Sequence, residues 1–150
     1  MFENLALSAA LVVATVLVHF FGILCLLYIL RRHGRKFPIQ DSVLHQGLAI
    51  LFVLLSLFII HGIEIWFYAL VYFVLGAVKD FDTALYFSTT TFSSLGFGDV
   101  VLAPRWRMFG AIEAPNGLIL IAWSTAFLIS LMNRMRIMEH DWLERPKNKN

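Results

Sequence analysis

Three long apolar stretches, separated by short polar connections, decide what this chain can fold into. Residues 5–30, 46–78 and 106–132 each exceed the roughly 20 residues with which a helix crosses a bilayer. Backbone amides in hydrocarbon must be satisfied within their own segment, so each stretch is expected to be an α-helix. Of the 150 residues, 59% are hydrophobic and only 15% charged, a balance that suits a membrane better than an average soluble domain. The single cysteine, Cys25, lies in an apolar run, which excludes an intrachain disulfide and any cysteine-built zinc or redox site. A net charge of +2, with its basic residues split between two segments, gives no patch for nucleic acid. No nucleophile beside a base and no metal-ligand cluster stands out, so an enzyme is not expected.

The first stretch opens with Glu3 instead of a basic cluster and is longer than the apolar core of a cleaved leader, so it is expected to span. Arg31, Arg32, Arg35 and Lys36 follow it, and Arg134, Arg136, Arg145, Lys147 and Lys149 follow the third. Three crossings put both groups on one side, which the positive-inside rule makes cytoplasmic. The amino terminus then lies outside a cell membrane crossed several times, with the carboxyl terminus in the cytoplasm. The second stretch is longer than a perpendicular crossing needs, so it tilts or becomes irregular near Gly76.

Residues 80–104 are too short and too polar to span and have the shape of a re-entrant loop. Asp82 is placed to cap a short helix beginning at Thr83. The run from Ala84 to Ser93 supplies about three turns and leads into Ser94-Leu95-Gly96-Phe97-Gly98-Asp99. Gly96 and Gly98 flank one larger residue. Glycine reaches positive φ without steric penalty, so this spacing allows a backbone of alternating sign whose successive carbonyls point the same way.

From Ala84 to Asp99 the sequence resembles the pore helix and signature of tetrameric potassium channels. With one small gap the resemblance continues through Trp106 and Arg107 into the third stretch. It implies that Ser94, Leu95, Gly96, Phe97 and Gly98 take the five selectivity-filter positions, where backbone oxygens replace the water shell of potassium ions. Asp99 takes the external mouth. It also implies a homotetramer around a central axis, since one such loop cannot surround an ion. Potassium in the filter, held at Ser94, Leu95, Gly96 and Phe97, is the only ion required; no cofactor, nucleic acid or small-molecule substrate is implied, and membrane lipid is the other partner. The sequence departs from the family pattern at Ser94, at Leu95, at Phe97, and at Thr90, where members often carry a carboxylate behind the filter. Ser94 and Leu95 bear on discrimination between potassium and sodium.

The expected fold is an all-α membrane protein of three transmembrane helices plus a re-entrant pore helix and filter loop. Residues 1–36 form an extra, peripheral helix with its basic loop, residues 37–133 the pore domain, and residues 134–150 a short basic tail. The expected function is passive, potassium-selective conduction. Two alternatives stand beside it: a weakly selective potassium/sodium channel of the same fold, and a non-conducting membrane scaffold. A potassium transporter subunit would need four such loops in one chain. No helix carries arginine at every third position, so a voltage sensor of the usual kind is not expected.

Several ionisable or small residues lie inside the apolar stretches. Glu113, at a depth where charge is costly, either bonds to Thr90 or Ser93 and replaces the missing carboxylate, or faces water near the helix end. His61 and Glu64 share a helical face and form either a pH-sensitive pair or a structural one. His19, alone on the first stretch, is read as an interhelical contact in preference to a sensor. Pro115 and Gly117 mark either a hinge of the inner helix or a tight helix contact. Ile121, Thr125, Leu128 and Met132 recur at helical spacing and line either a cavity and gate or a seam between helices.

Overall fold

In the computed structural model, residues 2–34 and 43–134 are described. Arg35, Lys36 and the basic tail with Arg136, Arg145, Lys147 and Lys149 lie outside the described residues. The chain forms α1 (Phe2–Gly34), α2 (Val43–Val74), α3 (Phe81–Phe92) and α4 (Arg107–Arg134), with no strand among the described residues. Three of these helices, α1, α2 and α4, are long and apolar enough to cross a membrane, as the three stretches require. The fold is all-helical.

Where the helices stop has local causes. Gly76, at φ 63°, ends α2 earlier than residue 78: its amide donates to the Phe73 carbonyl at 3.0 Å, and the Ala77 amide to the Tyr72 carbonyl at 2.9 Å. Such a left-handed glycine cap satisfies carbonyls that the helix would otherwise leave bare. The cap of α3 differs from the expected one. Asp80, not Asp82, is the capping residue, accepting from the Thr83 amide at 2.8 Å and the Thr83 hydroxyl at 2.9 Å. Those bonds hold the Asp80 carboxyl below the usual carboxylate range. Asp82 lies within the first turn, where its charge faces the positive end of the helix dipole.

Paired positions give the helix directions. The Asn4 side chain donates to the Arg105 carbonyl, and Asn116 to Thr15, so α1 and α4 run parallel. Gly22 packs on Ile60 while His19 reaches Glu64, so α1 and α2 run antiparallel. Arg31 and Arg32 therefore share an end of the molecule with Arg134, the arrangement that the charge pattern requires.

The first helix packs along α2 and α4 over most of its length. Ser8, Leu11, Thr15, His19, Ile23 and Leu26 are all buried, a stripe at three- and four-residue spacing that faces α2 and α4. A Cβ on Gly22 would lie 2.8 Å from the Ile60 side chain, so the absence of a side chain is what lets the two helices approach. Asn116 donates to both the Thr15 hydroxyl, at 2.9 Å, and the Tyr68 hydroxyl, at 3.1 Å, joining α1, α2 and α4 in one buried network. In lipid such polar links hold helices together because the unpaired alternative is costly.

The short helix α3 is held between α2 and α4 by an aromatic core. Tyr72 meets Phe87 and Phe109 edge to face, each at 5.2 Å between ring centres. Leu102, Phe92 and Leu120 belong to the same cluster, as do Tyr68 of α2 and Leu11 of α1. A second, smaller core of Leu26, Val53, Leu57 and Ile60 lies further along the bundle.

Candidate functional site

The loop that leaves α3 is built by its own backbone. The Thr90 carbonyl accepts from two amides, Leu95 at 2.9 Å and Gly96 at 3.1 Å, and the Thr91 carbonyl from Ser94 at 2.9 Å. The end of α3 is thus capped by the loop that follows it. Positive φ occurs at every second residue: 59° at Ser94, 52° at Gly96 and 78° at Gly98. The alternation expected of the two glycines is present and begins one step earlier, at a serine. A non-glycine residue in this region carries strain of about 1–2 kcal/mol. The Ser94 hydroxyl reaches the Ala114 carbonyl on α4 at 3.4 Å, which fixes the turn where that strain is stored.

Leu95 and Phe97 are 63% and 66% exposed. Within one chain they are left uncovered, while the side of α3 towards α2 and α4 is filled by Phe87, Phe92 and Leu102. Asp99, at the far end of the loop, accepts from the Tyr86 hydroxyl at 2.7 Å. That bond keeps the Asp99 carboxyl below its usual range. Tyr86 was not anticipated. It ties α3 to the end of the loop.

Behind α3 lies Glu113, fully buried, so it does not face water. Nor does it meet Thr90 or Ser93, which bond within α3 to the carbonyls of Phe87 and Thr89. Instead Glu113 Oε2 accepts from the Tyr72 hydroxyl at 2.5 Å and Oε1 from the Ser88 hydroxyl at 2.6 Å. Ser88 shares its proton with the Ile65 carbonyl at 3.0 Å. The reason is register: Ser88 is on the buried face of α3 turned to α2 and α4, whereas Ser93 is on the exposed face. The acid therefore fastens the middle of α3 to both long helices.

Pro115 and Gly117 lie within an unbroken α4. A Cβ on Gly117 would run into the Phe92 carbonyl and ring, so the close contact of α4 with the end of α3 depends on that glycine. A groove of about 530 Å³ opens below the loop, lined among others by Thr89, Ser93, Ile121, Thr125 and Leu128. Three of the four residues expected to line a cavity are brought together there; Met132, a turn beyond, is outside the lining.

His61 and Glu64 are bonded, Nδ1 to Oε2 at 2.8 Å, and His19 completes the group with Nδ1 at 2.9 Å from Oε1. His19 thus makes the interhelical contact expected of it. Its membership was hidden in the sequence because 45 residues separate it from Glu64, and apolar helices carry no local signal of which face meets which.

Residues 48–134 match the family described as ion channel, which takes in most of α2 and all of α3, the loop and α4. The match covers more than half of the chain and leaves α1 outside. No curated protein and no solved structure matches the chain significantly. A family match over this region, on two long apolar helices that flank a short helix ending in a capped glycine loop, makes this multi-pass membrane chain a member of the ion channel family.

Proposed function

We propose that the chain is one of four identical subunits of a potassium channel, with α3 as pore helix, residues 94–98 as selectivity filter and α4 as inner helix. The observation that carries this reading is the positive φ at Ser94, Gly96 and Gly98. In extended backbone successive carbonyls point in opposite directions; reversing the sign at every second residue turns them the same way. Four such loops facing an axis stack rings of oxygen that replace the hydration shell of potassium, which passes down its gradient. Asp99, held ionised by Tyr86, places a ring of negative charge at the entrance and raises the local cation concentration. The exposure of Leu95 and Phe97 fits the tetramer, in which neighbouring copies would cover these two side chains.

Orientation follows the basic residues: the loop and the amino terminus face outward, and the ends of α1 and α4 face the cytoplasm. The test is the mass of the detergent-solubilised protein together with potassium flux from liposomes. A tetramer whose flux is blocked by barium fits the reading; a monomer or a silent tetramer returns the chain to a scaffold role. Ser94 and Leu95 favour a second reading, a filter that also passes sodium, because both alter the volume at the filter's inner end.

A further inference from the structure

We propose that His19, His61 and Glu64 form a binding site for a divalent transition-metal ion of the zinc class, which fastens α1 to the ion-channel region. One ligand atom from each residue lies within 4.8 Å of the other two. The Nδ1 atoms of His19 and His61 approach opposite oxygens of the same carboxylate, at 2.9 and 2.8 Å. Zinc sits about 2.0–2.2 Å from imidazole nitrogen and carboxylate oxygen. Around a tetrahedral zinc at those bond lengths, nitrogen and oxygen lie about 3.3 Å apart, so each ring has to draw back from Glu64 by some tenths of an ångström.

The chemistry of the set selects the ion. Two imidazoles and one carboxylate suit zinc, cobalt or nickel, whereas calcium and magnesium prefer oxygen donors throughout. Glu64 and His19 are fully buried, and a carboxylate at such depth calls for a positive partner. Coordination at Nδ1 places each imidazole proton on Nε2. In His61 that N–H then donates to the Ser124 hydroxyl, already 2.9 Å away. This is the kind of outer contact that orients a ligating histidine. His19 Nε2 has no hydrogen-bond partner, and its ring lies 5.1 Å from Trp123. All of the polar bonding of this buried ring is thus directed at the carboxylate.

Access exists on one side. His61 and Ser124 both line the groove below the loop, which gives an ion an entry path and leaves room for water as a fourth ligand. The site joins His19 on α1 to two residues of α2 and, through His61 and Ser124, to α4. Occupancy therefore fixes α1 against the helix that forms the groove wall.

The experiment uses untagged full-length protein in which His33, His45 and His140, the remaining histidines, are replaced by glutamine. Titration with zinc chloride is expected to show one ion per chain, and cobalt(II) to give the intense visible absorption of a four-coordinate site. His19→Gln, verified as folded by its elution and helical signal, should weaken zinc binding on the order of a hundred-fold, and Ser124→Ala by about ten-fold. Absence of stoichiometric zinc binding in the starting protein overturns the proposal, as does binding that His19→Gln leaves unchanged. Binding is read directly, so the result is independent of whether the chain conducts potassium.

Discussion

The two sides of α3 differ in completeness. On its back, Glu113 is fully buried with both oxygens bonded, and Tyr72, Phe87 and Phe109 pack around it. On its front, the loop of residues 93–99 is exposed along its whole length, with Leu95 and Phe97 more than half uncovered. The back is finished within one chain; the front is left open, and in the proposed tetramer other copies would cover it. The contrast separates two roles. In the proposed channel a rigid mount is made by one subunit, and the ion pathway that it holds is shared among four.

The strongest way to break this contrast is to attack the backbone of the front. Gly98→Ala forces a side chain onto a φ of 78°, a cost of about 1–2 kcal/mol per residue that four copies multiply. Barium-sensitive potassium flux should fall to background while the tetramer persists on size exclusion. Retained flux would show that the sign alternation is not needed for conduction.

Next comes the contact between front and back. Gly117→Ala pushes a methyl group into the Phe92 carbonyl, and overpacking of this kind costs about 1–3 kcal/mol. The tetramer should lose thermal stability in detergent, and flux with it. An unchanged melting temperature would mean that α4 bends away freely, which favours the hinge reading of Pro115 and Gly117.

The mount itself is tested by Glu113→Ala, which leaves the Tyr72 hydroxyl without its buried acceptor, at about 1–3 kcal/mol, and the Ser88 hydroxyl with the Ile65 carbonyl alone. Glu113→Gln keeps an acceptor for one of them and should cost less. If the two variants melt alike, the hydrogen bonds are not what holds α3.

The smallest expected effect sharpens the comparison at the rim. The Tyr86 hydroxyl lowers the Asp99 pKa, so the bond contributes above the ordinary carboxylate value of about 3.9 and is lost as pH falls through the lowered one. Tyr86→Phe should therefore move the acid-induced loss of flux to higher pH. A profile that does not move would remove Asp99 from the mouth.

Much of this was legible in one dimension because it is local. Helix lengths follow from apolar runs, and the loop from Gly96 and Gly98 two residues apart. The capping residue was misplaced by two because Asp80 and Asp82 are both acids with a threonine close behind, and only the Asp80 geometry closes on Thr83. Glu113 was recognised as needing partners, yet they were misassigned. Which face of α3 turns towards α4 is set by the packing of Phe87 and Phe92, not by spacing from the loop. The docking of α1 was invisible for the same reason: Thr15 and His19 meet Asn116 and Glu64 across 101 and 45 residues of chain.

The central claim, that four copies of the loop at residues 94–98 select potassium, is tested most directly by the reversal potential of the purified protein in a planar bilayer. With potassium chloride on one side and an equal concentration of sodium chloride on the other, the account predicts a potential displaced far towards the potassium equilibrium value. A potential near zero would contradict selectivity, and no current at all would contradict conduction.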